Sequence, residues 1–448
     1  FQFFVKNLTT KPLEITMSFL PNIIFFIVLT TSIGYFISNV IKLRRNINLG
    51  IDLDIDLSKD SKKRWANMAK IALGQSKMVR RPVSGALHVI VYIGFIIINI
   101  ELLEIIIDGL FGTHRIFSFM GDFYGFLIGT FEIFAILVLV SVSIFWIRRN
   151  IIKLKRFYED SMKGWPKLDA DLILYFEIIL MSLFLLMNAT DTNFQQMNNG
   201  NIISGYIYPF FENYSANTLH LLERSFWWMH IVGILIFLNY LYFSKHLHIL
   251  LAFPNTFYAS LEEKGKMSNL KSVTTEVNLM LNEMSSTPSD LVNENINEIA
   301  KFGASDVSDL NWLQLLNSYS CTECGRCTSV CPANITGKKL SPRKIMMMTR
   351  DRLEEVGRNI DKNKGTFVDD GKKLIDNYIS REEIWACTSC NACVEECPIS
   401  IDPMSIILEM RRYLVMEEAS APSELNNMMS NIENNGAPWP YNQMDRLN

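Results

Sequence analysis

Five apolar runs, each long enough to cross a lipid bilayer, fall before Pro254, and they leave the first half of this 448-residue chain very few ways to fold. About 20 apolar residues in a helix span the roughly 30 Å hydrocarbon core. The runs cover about residues 17–41, 83–110, 121–147, 170–190 and 222–250. Lipid offers no partner to backbone N–H and C=O groups, so segments of this length satisfy them as helices. That outweighs the β-branched richness of "VIVYIGFIIINI", which would favour a strand in water. After Pro254 the chain turns polar, with many Asn, Glu, Lys and Asp. The whole-chain averages, 49% hydrophobic and 20% charged, conceal this division. The expected architecture is all-α, with a membrane domain at 1–254, a connector at 255–310 and a helical soluble domain at 311–448. Within the connector, "SSTPSDLVNENINEIAKF" holds a plausible helix start. A net charge of −3 gives no basis for a nucleic-acid partner.

All eight cysteines lie in two segments, "CTECGRCTSVCP" from Cys321 and "CTSCNACVEECP" from Cys387. A disulfide framework scatters its cysteines among the loops of a small secreted domain. This clustering instead implies metal binding in a reducing compartment. C-x2-C-x2-C lets one tight loop wrap three corners of an iron–sulfur cubane. The fourth cysteine, followed by proline, ligates the other cluster in two-cluster proteins. The expected sets are therefore Cys321, Cys324, Cys327 and Cys397 on one [4Fe–4S] cluster, and Cys331, Cys387, Cys390 and Cys393 on the second. Structural zinc is the competing reading. Its sites commonly use two CxxC pairs, not a four-cysteine run with a trailing proline, twice. More than fifty residues separate Cys331 from Cys387. They include "SPRKIMMMTRDRLEEV" and "GKKLIDNYISREEIWA", which read as helices, so an all-helical cluster domain is expected.

Positive charge sets the orientation. The loop after the first span carries Lys42, Arg44, Arg45, Lys62, Lys63, Arg64, Lys70, Lys77, Arg80 and Arg81, and the loop after the third carries Arg148, Arg149, Lys153, Lys155 and Arg156. The opposite loops, about 111–120 and 191–219, offer only Arg115. The basic loops are expected in the cytoplasm, which puts the N-terminus outside and the cysteine domain inside. The chain begins at Phe1 rather than Met, and nothing in it reads as a cleavable signal peptide.

Six histidines remain, and three stand out: His88 on the second span, and His230 and His248 on the fifth. Eighteen residues apart on one helix, His230 and His248 share a face roughly 27 Å apart along the axis. His248 falls at about the depth of His88, and two imidazoles facing each other at one depth suit the axial positions of a b-type haem. His246 points to another side of such a helix, so His248 is preferred. His230 marks a possible second haem site, but the second span offers only Ile98 and Asn99 opposite it. The bland alternative is that these histidines are interfacial or hydrogen-bond a neighbouring helix. Glu101, Glu104, Glu132 and Glu177 also fall inside spans. Buried charge is costly there, so they either relay protons or pair with one another and with arginines at helix ends. Arg80 and Arg81 suit haem propionates or the positive-inside rule alone, and Trp227 and Trp228 suit an outer aromatic belt. His114 and His220 fall in the outer interface or its loops. No Gly-rich dinucleotide fingerprint follows a strand, and no nucleophile stands out, so no flavin or nicotinamide is expected on this chain.

"RRPVSGALHVIVYIGF" and "WWMHIVGILIFLNYLYFSKHLHILLAFPN" resemble the haem b membrane subunit of respiratory nitrate reductase. "DLNWLQLLNSYSCTECGRCTSVCPANITGKKLSP" resembles the dicluster segment of heterodisulfide-reductase-like proteins, an arrangement also found in electron-transfer-flavoprotein:menaquinone oxidoreductases. The tail "NNGAPWPYNQMDRLN" resembles the segment after the clusters in that group. The resemblance implies a bacterial inner-membrane electron-transfer subunit. Electrons would enter from a cytoplasmic flavoprotein, pass through both clusters and haem b, and reduce menaquinone. The reverse flow, from quinol to a cytoplasmic disulfide or sulfur-compound reductase, is equally compatible. A non-catalytic scaffold with structural clusters is the reading of another class. Diheme relatives carry two histidines on the second helix, where this chain has only His88. The group usually continues into cysteine-rich CCG-type domains. With no ninth cysteine before Asn448, the resemblance implies a separate CCG-type iron–sulfur subunit.

Overall fold

The structure is a computed structural model that describes residues 2–53, 57–197, 199–263, 265–282, 301–441 and 444. The proposed helix start in the connector lies outside these residues. Among the described residues there is no strand, only two isolated bridges. The chain divides into two compact units, one of residues 1–45, 65–257 and 320–325 and the other of 46–64, 258–319 and 326–448.

The first unit contains five helices long and apolar enough to cross a membrane. They are α1 (Gln2–Ile47, apolar from Phe19), α2 (Pro82–Phe111), α3 (Asp122–Asn150), α4 (Trp165–Thr190) and α5 (Ala216–Tyr240). Local chemistry sets their ends. Pro82 stands in the first turn of α2, where its missing N–H costs nothing. Gly112 ends it in the left-handed region at φ 71°. Ser215 caps α5 by accepting from the Thr218 amide. Consecutive helices α2 to α5 pack side by side. The first helix joins them through Phe25, whose ring meets Trp227 at 5.5 Å, tilted by 50°, and lies over Gly109, where a Cβ would come within 2.6 Å of the ring. Small residues of this kind let helices approach closely in lipid. Phe19, Ile23, Phe26 and Ile27 on α1 remain more than half exposed, an apolar surface suited to lipid. Trp227 is only 6% exposed, so it belongs to the helix core and not to an aromatic belt.

The fifth apolar stretch does not run on to residue 250. Helix α5 gives way to short 3-10 turns at Leu241–Phe243 and Lys245–Leu247, with Ser244 extended between them, and a separate helix α6 follows at His248–Tyr258. Tertiary hydrogen bonds hold the break open. Asp169 accepts from the Tyr240 hydroxyl at 2.6 Å and from the Lys245 amide at 3.1 Å. His230 and His248 therefore do not share one helix face.

The second unit is also helical. Its longest element, α7 (Pro342–Lys362), packs against α8 (Pro403–Met416) around Ile345, Met346, Leu353, Ile407, Met410 and Leu414. Ser341 and Asp402 cap these helices and a proline follows each cap. Arg352, fully buried, is held by Asp306 and Asp370 at 2.7 and 2.6 Å. "GKKLIDNYISREEIWA" is not one helix. The backbone leaves helical geometry at Ile375 and Asp376, where the Ile375 amide bonds Ser305. A new helix starts at the Ser380 capping box, Arg381–Trp385.

Candidate metal centres

The two cysteine segments repeat in backbone as well as in sequence. Glu323 and Gly325 have φ of 54° and 71°, and Ser389 and Asn391, at the equivalent places, have 54° and 60°. A loop that turns three sulfurs toward one centre needs left-handed residues, which Gly and Asn tolerate best. Short helices follow at matching positions, Arg326–Ser329 and Ala392–Glu396, and they pack on each other within the second unit.

Four cysteines of the second unit come together. Cys331 feels the charges of Cys387 and Cys390, and Cys393 those of Cys387 and Cys331. The last cysteine of the first segment thus lies among the first three of the second. Burial raises the Cys331 thiol, against bonds from the Ala333 and Asn334 amides. Burial, then Asp402 and the neighbouring sulfurs, pushes Cys393 up to about 12. Thiols this reluctant to ionise alone suit ligation by iron, whose positive charge reverses the preference. Of the other set, Cys321 and Cys324 count with the first unit, and Cys327 and Cys397 with the second. Cys397 sulfur accepts from the Ile401 amide at 3.3 Å, and Cys387 from the Ser389 amide at 3.4 Å.

A basic residue outside both motifs grips the second loop. Arg411 on α8 donates to the carbonyls of Ile384, Trp385 and Cys387 and lies 5.2 Å over the Trp385 ring. The first loop is held differently. Glu323, 3% exposed and adjacent to Cys324, accepts from Lys245 at 2.5 Å. The Lys245 ammonium also donates to the Pro166 carbonyl at 2.7 Å and lies 3.7 Å from Asp169.

His88 and His248 meet with ring centroids 6.4 Å apart. Two imidazoles bonded to opposite sides of one metal stand about 6 Å apart, because metal–nitrogen bonds are about 2.0–2.1 Å. The pair fits the axial ligands of a haem. His248 Nδ1 lies 3.1 Å from the Lys245 carbonyl; donating there fixes the tautomer and leaves Nε2 for a metal. Burial lowers the pKa of His248 and, helped by His248, His88 and Lys245, lowers that of His246 further. Both rings are thus kept neutral, as ligands must be. His246 stands 5.4 Å from His248, a closer rival than helical geometry predicts.

The second haem site fares differently. His230 is 2% exposed. It lines a cavity of about 90 Å³ with Ile98, Asn99, Glu101 and Glu177. Ligand pockets run to about 300–1,000 Å³, and among the described residues no second imidazole lines this cavity, so its residues do not fit a haem. The four intramembrane glutamates divide in two. Glu104 accepts from the Phe117 amide and the Tyr124 hydroxyl, and Glu132 from Asn188 and the amides of Ile203 and Ser204. Glu101 and Glu177 instead line the cavity.

Arg411, Lys245 and Glu323 escape a reading by motif. Glu323 sits inside one, but nothing local names its partner.

Residues 320–401 match the 4Fe-4S dicluster domain family. The chain is 28% identical over 96% of its length to the probable iron-sulfur-binding oxidoreductase FadF of Bacillus subtilis, covering 61% of that protein. It is 26% identical over 82% of its length to the EtfAB:quinone oxidoreductase of Syntrophomonas wolfei, covering 51% of it. A probable membrane-anchored ferredoxin of Chromohalobacter salexigens is 33% identical over 33% of this chain and 24% of its own length. The chain thus spans about half to three fifths of the length of the first two relatives. No solved structure matches. Helical and without strands among its described residues, with five membrane-length helices there and a match to the 4Fe-4S dicluster domain, the chain is related to iron–sulfur oxidoreductases.

Proposed function

We propose that this chain passes single electrons between a soluble cytoplasmic partner and a quinone dissolved in the lipid. The carriers are two [4Fe–4S] clusters, one on Cys321, Cys324, Cys327 and Cys397 and one on Cys331, Cys387, Cys390 and Cys393, and one haem b on His88 and His248. The observation that carries this reading is a bonded path inside the first unit. Glu323, next to Cys324, pairs with Lys245, and the Lys245 carbonyl holds His248. The loop of one cluster and the ring of a haem ligand are thereby tied to the same lysine. The protein's part is to hold the ligands, exclude water from the sulfurs and set the local charge. When bound, the haem supplies a one-electron step between cluster and quinone.

The relative named for EtfAB and quinone supports electron-transfer flavoprotein as donor and menaquinone as acceptor. A CCG-type iron–sulfur subunit is the proposed cytoplasmic neighbour. The basic loops support a bacterial inner-membrane protein with its N-terminus outside and its clusters in the cytoplasm. Similarity to one subunit of the heterodisulfide reductases of two Methanosarcina species, over about a quarter of the chain, favours a second reading, in which quinol feeds a cytoplasmic reductase.

A reduced-minus-oxidised visible spectrum of protein purified anaerobically from native membranes tests the proposal. A b-type α band is expected in the native chain and absent from His88→Ala. An unchanged band in that variant overturns the ligand assignment, and no band in the native chain overturns the haem. Zinc in place of iron and acid-labile sulfide overturns the clusters.

A further inference from the structure

Glu101 and Glu177 take no part in the packing that occupies Glu104 and Glu132. With His230 and Asn99 they form the polar part of the cavity of about 90 Å³, whose other walls include Phe95, Leu102, Val138 and Phe237. Glu101 is 3% exposed, and among the described residues its Oε2 has no hydrogen-bond partner; the same holds for Nδ1 of His230. Unpartnered polar atoms at this depth are costly unless something in the cavity satisfies them. The space accommodates about three waters at roughly 30 Å³ each, and the lining offers the polar partners that ordered water requires.

A polar chain runs from one end of the bundle to Glu104 and Glu132, whose charges act on Glu101. His114, 41% exposed, pairs with Asp191 at 3.3 Å. Asp191 accepts from Arg115 at 2.7 Å, and Arg115 donates to Asn188 and to the Tyr124 hydroxyl. Tyr124 donates to Glu104, and Asn188 to Glu132. Arg115, Glu104 and Glu132 are the charged groups acting on Glu101 from this side, and Glu177 and His230 face it across the cavity.

We propose that the cavity is a hydrated proton site, in which waters bridge Glu101, Glu177 and His230 and one carboxylate takes up a proton from the His114 side when an electron enters the membrane unit. The inference rests on the electron-carrying function proposed for the chain. The electron would come from the clusters, and a haem held by His88 and His248 would supply its one-electron carrier. The proton comes from bulk water and turns a carboxylate into a carboxylic acid. Both leave again when quinone takes the electron. A charge placed in lipid is thereby neutralised close by.

Redox-difference infrared spectroscopy of the full chain in lipid nanodiscs, with the visible spectrum recorded on the same sample, tests this. Reduction is expected to produce a carboxylic C=O band that shifts down in D2O. Glu101→Gln or Glu177→Gln should remove at least half of it, and Glu101→Asp, which keeps the carboxyl, should move the band and not abolish it. A haem band with no D2O-sensitive carboxyl signal overturns the proton site alone. So does a carboxyl band unchanged in both Gln variants. No haem band overturns the electron-carrying function, and this site with it.

Discussion

The two cysteine loops have the same backbone and opposite supports. Glu323 and Gly325 in the first, and Ser389 and Asn391 in the second, turn left-handed at matching places. The first loop offers an anion, Glu323, to a buried lysine of the membrane unit. The second offers carbonyls to a guanidinium of its own unit, Arg411. Repetition thus fixes what a cubane requires, and each copy's neighbours decide what its loop is tied to. A cation beside a cluster favours the reduced, more negative state, so a cluster on the Arg411 side would hold electrons more readily.

The largest test of the comparison exchanges the crossing ligands. Cys331→Ser is expected to remove the cluster of the second loop and Cys397→Ser that of the first, each lowering iron from about eight atoms per chain to about four. Electron paramagnetic resonance of the surviving cluster should differ between the two variants. If Cys331→Ser instead leaves the same spectrum as Cys324→Ser, each segment keeps its own fourth cysteine.

Next in size is the removal of the first loop's support. Lys245→Met leaves Glu323 and Asp169 buried without their cation, which costs about 3–5 kcal/mol when a buried pair is broken from one side. Adding Glu323→Gln should return part of that loss in thermal unfolding. Because the unpaired Glu323 and Asp169 would loosen the turn whose Lys245 carbonyl holds His248, the single variant should weaken the haem band, whereas Arg411→Leu should leave it alone. Equal effects on the band would erase the distinction between the loops.

How much of this was legible in the sequence follows the range of the interactions. The proposed crossing of Cys331 rests on close spacing alone, and the five spans rest on composition and are readable along the chain. The break after α5 is not. "ILIFLNYLYFSKHLHILLAFP" is mostly apolar on both sides of Ser244, and the turn there is set by Asp169, which lies more than seventy residues away in the chain. His248 reaches His88 from the start of a new helix, so the two rings lie near each other although the helical-face argument for it fails. Arg411 reads as one more basic residue on an amphipathic helix. Only the fold brings it to the carbonyls of Ile384 and Cys387.

Arg411→Leu leaves those buried carbonyls unpaired, at a cost of about 1–3 kcal/mol. It also removes a positive charge beside Cys387. The midpoint potential of the second cluster should fall by on the order of 50 mV, near the ~59 mV of a tenfold shift for one electron. A potentiometric titration that moves the first cluster instead would reverse the assignment of supports.

The smallest effects probe the shared backbone. Asn391→Gly and Gly325→Asn exchange residues that both tolerate positive φ, so each should change stability by only a few tenths of a kcal/mol. Gly325→Val places a β-branched side chain at φ 71° and should cost about 1–2 kcal/mol, with Asn391→Val costing nearly as much. If the two valines differ widely, the loops are less alike than their dihedral angles, and the neighbours of each loop are shaping its backbone as well as its charge.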